Sequence, residues 1–172
     1  ATAAGAVVLA KNGDGPYITH VTPGRIRDKG IKDANNMGAA MAWAAYDTIS
    51  QHLKDTKRSS SFYDLIVTGD LGKLGMEIVI DLFAADGIEL RGNYNDCGIM
   101  LFDLEGQDVH CGASGCGCAA SVLTGYLLNG MREGKWHNLL FCATGALHSP
   151  TSLGQGESIP GICHAVAIST QK

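Results

Sequence analysis

The amino-acid sequence predicts an α/β fold, a central sheet covered by helices, on three observations. Short β-type apolar runs alternate with helical patterns along the 172 residues. The composition suits a chain that buries a full core, 45% hydrophobic against 17% charged. The 23 glycines stand at element ends beside only 4 prolines, so they mark tight turns rather than a linker. One domain over residues 1–172 fits that length.

The chain opens on Gly5 to Ala10, a short apolar run read as a strand, and Asn12-Gly13-Asp14-Gly15-Pro16 turns it into a second strand, Tyr17 to Val21. Thr22-Pro23-Gly24 breaks that strand, and a polar stretch to Asn35 leads to a helix from about Asn36 to Lys54. Met41, Ala45, Ile49 and Leu53 line one face of it, and Asn36 is placed to cap it. Tyr63 to Val67 reads as a buried strand, Thr68-Gly69-Asp70 as a turn, and Leu71 to Asp86 as a helix with Leu71, Leu74, Ile78 and Leu82 inward. A loop from Glu89 to Cys97 precedes a strand, Gly98 to Phe102, then a loop of glycines and cysteines, then a helix from about Gly115 to Arg132. That helix is apolar on more than one side (Val122 and Tyr126, Leu123, Leu127 and Met131), which predicts a largely buried, central position. Asn138 to Ala143 is a further buried strand, Thr144 to Pro160 a long loop, and Cys163 to Ser169 alternates as a final strand.

Several function classes are disfavoured. The net charge of −4 carries no basic stripe, and the one cationic run, Lys54 to Arg58, contains Asp55, so nucleic acid is a poor partner. No apolar run approaches the roughly 20 residues that span a bilayer, and no signal peptide starts the chain. The six cysteines, with Cys118 and Cys142 inside apolar patterns, read as reduced thiols rather than staples.

The densest chemistry lies in the loop Asp108 to Cys118, DVHCGASGCGC. Its glycines let backbone approach a ligand, and the helix start that follows presents unpaired N–H groups that favour anions, carboxylates included. His110, Ser114, Gly115 and Cys116 are the candidates there, Cys116 being the thiol nearest the helix end. The competing reading is a tight turn that lets a helix pack closely. His110, Cys111, Cys116 and Cys118 could offer zinc ligands, but they do not form two separated pairs, which argues against a metal. Thr68 and Asp70 end a buried strand where α/β sheets place reacting groups; Asp70 either orients a ligand or histidine or caps the helix at Leu71. Asn95-Asp96-Cys97 is turn chemistry or pocket lining, and Thr144-Gly145, after Cys142, offers backbone to the same pocket. His148, Ser149, Ser152 and Glu157 lie in the long loop without a nucleophile elbow, so a serine hydrolase is disfavoured.

The order of these elements resembles the second half of the thiolase and ketoacyl-synthase fold, which implies a mixed central sheet covered by helices. The loop His110 to Gly115 is similar to that family's G-H-P-x-G-A-S-G motif, one residue shorter between His110 and Gly112. Cys142 with Thr144-Gly145 resembles its final Cys-x-Gly, and Gly5 to Ala10 resembles the strand that closes its first half. More closely, YDLIVTGDLGKLGMEI, NYNDCG, QDVHCGASGCGCAASV, FCATGALHSP and GQGESIPGICHAV together resemble the stage V sporulation protein AD family over essentially the whole chain.

That resemblance implies a sporulation protein at the spore inner membrane that binds dipicolinic acid, alone or with calcium, for uptake into the developing spore. It implies no cofactor, other stage V sporulation membrane proteins as partners, and a first half of the fold or a second copy against which this half packs. The apolar faces of Ala39 to Ala45 or Val122 to Met131 are then expected to be exposed here, and the half alone to aggregate or assemble. Its departures weigh against catalysis: Thr68-Gly69-Asp70 stands where ketoacyl synthases carry a catalytic His, and His110 alone matches an acid–base position, offset. The alternative is a thiolase-type acyltransferase in which His110 works with a nucleophilic Cys of the first half.

Overall fold

The structure, a computed structural model, describes residues 2–90, 92–112 and 115–172. Five strands make one mixed sheet: β1 (Tyr17–Thr22), β2 (Leu65–Thr68), β3 (Tyr94–Asp96), β4 (Asn138–Ala146) and β5 (Gly161–Ser169), in the order β1-β5-β4-β2-β3. β5 is antiparallel to both β1 and β4, while β2 runs parallel to both β4 and β3. The long helices α1 (Met37–Thr56) and α2 (Gly72–Ala85) cover one face. The other face carries α3 (Cys97–Met100), α4 (Cys118–Val122) and α5 (Leu128–Arg132), with a π-helical turn, Leu123–Leu127, joining the last two.

Because side chains alternate along a strand, the three central strands feed two cores. Ile66, Leu140, Cys142, Cys163, Ala165 and Ala167 face α1 and α2. Leu65, Val67, Leu139, Phe141, Val166 and Ile168 face the shorter helices. Helices on both faces explain why β2 is a continuous apolar run, with all four residues buried.

α1 follows its sequence signals. Asn36 accepts a hydrogen bond from the Ala39 amide at 3.2 Å, and Met41, Ala45, Ile49 and Leu53 are buried. It crosses α2 at glycine: a Cβ on Gly38 would lie 2.2 Å from the Leu71 carbonyl oxygen. That contact also rotates α2. The buried stripe is Leu71, Gly75, Val79 and Phe83, one position on from the expected one, and Leu74 is 41% exposed. The stretch Ala39 to Ala45, expected to be exposed, is largely buried in this core.

Other expectations are corrected. Gly5 to Ala10 is not a strand, and Val8 and Leu9 are 94% and 75% exposed. The third strand is β3, upstream of the expected Gly98 to Phe102, because Asp96 ends it and caps α3 through the Gly98 amide. The helix expected from Gly115 begins at Cys118, whose amide first closes a turn onto the Gly115 carbonyl. It is covered on one side only: Cys118, Val122, Leu127 and Met131 are buried and Tyr126 is 46% exposed. β4 runs past Ala143 to Ala146 because β5 pairs with it to the end. The loop that follows contains α6 (Pro150–Gly154) and is closed by Leu147 donating to the Pro160 carbonyl.

The α1–α2 crossing gives a direct test. Gly38→Ala should cost about 2 kcal/mol by overpacking, despite alanine's better helix propensity. Urea denaturation reads this, and an unchanged midpoint would show that the helices do not cross there.

Candidate functional site

Parallel strands β2, β3 and β4 lie in register at Thr68, Asp96 and Cys142, so their carboxyl ends open onto one place, the usual ligand position of an α/β sheet. Asp96, fully buried, organises it. Its Oδ2 accepts from the Thr68 hydroxyl at 2.6 Å and the Leu71 amide at 2.9 Å. Its Oδ1 accepts from the amides of Gly72 at 2.9 Å and Gly98 at 3.0 Å. Tyr94 extends the network, its hydroxyl 3.0 Å from that of Thr68. Burial pushes the Asp96 carboxyl up, and these four donors pull against it.

Two consequences follow for α2. Its first amides are consumed by Asp96, and the next, Lys73, donates to the Cys111 carbonyl at 2.7 Å. The N-terminus of this helix is therefore sealed within the fold rather than open to an anion. Gly72 sits at φ 64 with Cys111 against it, a conformation and a contact that favour glycine.

Asp70, next along the turn, is placed differently. Its amide donates to the Thr144 hydroxyl at 3.2 Å, and its Oδ2 accepts from the Gly115 amide at 2.8 Å. These bonds join the turn after β2, the β4 edge and the loop before α4. Burial raises its carboxyl to about 6, against the lowering effect of the Gly115 amide, and the Asp96 charge adds to the rise. A small pocket of about 120 Å³ opens beside it, lined by Asn36, Gly38, Asp70, Gly72, Cys111 and Gly112 among others. Among the described residues no group of three or more His, Cys, Asp or Glu is arranged to hold a metal ion, and no helix is long and apolar enough to cross a membrane.

A model of the family described as Stage V sporulation protein AD matches residues 1–169. Stage V sporulation protein AD of Bacillus subtilis (strain 168) is 44% identical over 165 residues, 96% of this chain. The chain belongs to the stage V sporulation protein AD family. It spans about half of that relative, 48% of its length. Among solved structures, 3-oxoacyl-(acyl-carrier-protein) synthase III from Aquifex aeolicus VF5 aligns with 75% of this chain and 38% of its own, at 14% identity and a TM-score of 0.36. That likeness is too loose to carry an argument.

In this member of the family, Asp70, Gly115 and Thr144 are joined by hydrogen bonds. Thr68 is turned into the Asp96 network, completely buried. Asn95 accepts from the Asp96 amide and lines a different groove, between Met100, Leu101 and Tyr126. His110 stands in solvent at φ 50, its side chain 88% exposed and its Nδ1 3.7 Å from Asp108. Cys116 is exposed ahead of α4, and Gly145 lies in the β4–β5 ladder opposite Ile162. Ser114 lies outside the described residues. Asp96, within the triplet Asn95-Asp96-Cys97 read as turn chemistry or pocket lining, has an organising role the sequence does not reveal: an aspartate two residues before a glycine at a strand end reads equally as an ordinary turn.

The two aspartates predict different behaviour. Asp96→Ala should cost about 3 kcal/mol or more, because four donors lose a charged acceptor in the core; chemical denaturation measures it. For Asp70, whose folded carboxyl is raised, the favourable contribution is present at about pH 4 and is lost as pH rises through about 6. Asp70→Asn should therefore melt above wild type at pH 7.5, with the difference vanishing toward pH 4. Equal melting temperatures at both ends would contradict the half-buried, underpaired carboxylate.

Proposed function

We propose that the chain supplies one wall of a binding site for dipicolinic acid, serving its uptake into the developing spore, and that it works at the spore inner membrane with other stage V sporulation proteins. The observation that carries this reading is the Gly115 amide, which already holds a carboxylate, that of Asp70, at 2.8 Å. A loop that presents backbone N–H to a carboxylate at the carboxyl end of parallel strands is chemistry suited to a dicarboxylate. Membership in the sporulation family supports the physiological setting. Cys116, next to Gly115 and exposed, is a further ligand contact in this reading.

Binding without catalysis is supported by the buried thiols of this chain. Acyl transfer needs a thiolate with a base in hydrogen-bond reach. Burial pushes Cys118 up to about 12 and Cys97 higher still, and Cys142 lies in the core. His110 is directed to Asp108 and solvent.

Calorimetry with dipicolinate on the full-length protein tests the assignment. Gly115→Ala places a side chain at φ 131, which an L-residue resists, and should weaken binding about ten-fold by moving the amide. His110→Ala should change affinity less than about two-fold, as expected for a solvated side chain. Unchanged affinity in Gly115→Ala would remove the loop from the site.

A further inference from the structure

We propose that Asp70 is an internal competitor for this anion site: its carboxylate occupies the Gly115 amide that a bound carboxylate requires, and it yields that amide on taking up a proton. The inference rests on the dicarboxylate reading above and adds its regulation.

The geometry is that of a latch. One bond, Gly115 N–H to Asp70 Oδ2 at 2.8 Å, ties the loop before α4 to the turn after β2. The pocket beneath it, about 120 Å³, is smaller than the roughly 300 Å³ at which small-molecule sites begin, so entry of an aromatic dicarboxylate requires that bond to open. An ionised Asp70 opposes that entry twice, by holding the donor and by repelling the incoming charge. A protonated Asp70 is neutral and a weaker acceptor, and it does neither.

Among the described residues, the groups that face the carboxylate are acidic or uncharged. Asp96 faces it from β3, and the thiols of Cys97 and Cys118 from α3 and α4. Cys111 of the loop lines the same pocket, α1 contributes Asn36 and Gly38, and β4 offers the uncharged Thr144 hydroxyl. None of the ion pairs among the described residues includes Asp70. Its carboxyl, raised to about 6 chiefly by burial, then changes charge within the range where proteins ordinarily work.

The experiment is isothermal calorimetry of dipicolinate with the full-length protein between pH 5.5 and 7.5, in buffers of different ionisation enthalpy. Wild type should take up close to one proton per ligand at pH 7.5 and bind about twenty-fold more weakly there than at pH 5.5. Asp70→Asn should take up none, lose the pH dependence and bind more tightly than wild type at pH 7.5. Wild-type binding without proton uptake, or an Asp70→Asn variant with the wild-type pH profile, overturns the proposal. If neither protein binds dipicolinate at any pH, the ligand reading fails, and the latch is decided without ligand by the Gly115 amide NMR shift. A titration near pH 6 that Asp70→Asn abolishes supports the latch; an amide indifferent to Asp70 overturns it.

Discussion

One buried carboxylate holds the functional end of this molecule together. Asp96 accepts from the end of β2, the first turn of α2 and the first turn of α3. A charge taken out of water costs several kcal/mol unless it is fully hydrogen-bonded, and four donors meet that condition. The same donors would otherwise be orphans, since a helix start leaves its first amides without partners. Strand end, helix start and buried charge thus solve one another's problem. A single side chain ties the end of β2 to the starts of α2 and α3.

That solution decides where an anion can and cannot bind. A helix start after a parallel strand is the familiar anion site of α/β proteins. Here α2 spends its amides on Asp96 and on the Cys111 carbonyl. The capacity to hold a carboxylate passes to the loop before α4, where the Gly115 amide faces the turn. Asp70 is half-buried and Asp96 fully buried, and each raises the other's cost of ionising, yet Asp96 has four donors and Asp70 a single bond from Gly115. The well-satisfied carboxylate is scaffold. The poorly satisfied one has charge left over, which is the property a ligand or a proton can act on.

Much of this was legible in the sequence, and the exceptions share a cause. α1 announced itself by a cap and an apolar stripe, and β2, β4 and β5 by apolar runs whose faces could be assigned from alternation. Gly98 to Phe102 could not be assigned that way, because five apolar-rich residues fit a strand or a helix equally, and Asp96 decided it: held in the core by Thr68, Leu71 and Gly72, its carboxylate caps the Gly98 amide. The α2 stripe was displaced by a neighbour too, through the close approach at Gly38 and Gly75. The site was readable as a place, the loops after β2 and before α4, and Thr144, Asp70 and Gly115 do meet there. The partner of each group was not readable, since hydrogen bonds spanning 45 and 74 residues leave no local pattern.

The six cysteines test the distinction between a binding site and a reaction centre. Four are buried: Cys97 and Cys118 pack in one core, Cys142 and Cys163 in the other. Nearby carboxylates at Asp70 and Asp96 add to the desolvation that keeps Cys97 and Cys118 protonated. A site meant to activate a thiol would surround it with positive charge or an open helix start. This one sets aspartates near Cys97 and Cys118 and closes the start of α2. The arrangement that disfavours a thiolate at Cys97 and Cys118 is the same one that raises Asp70: burial, partial for Asp70, beside other acidic groups.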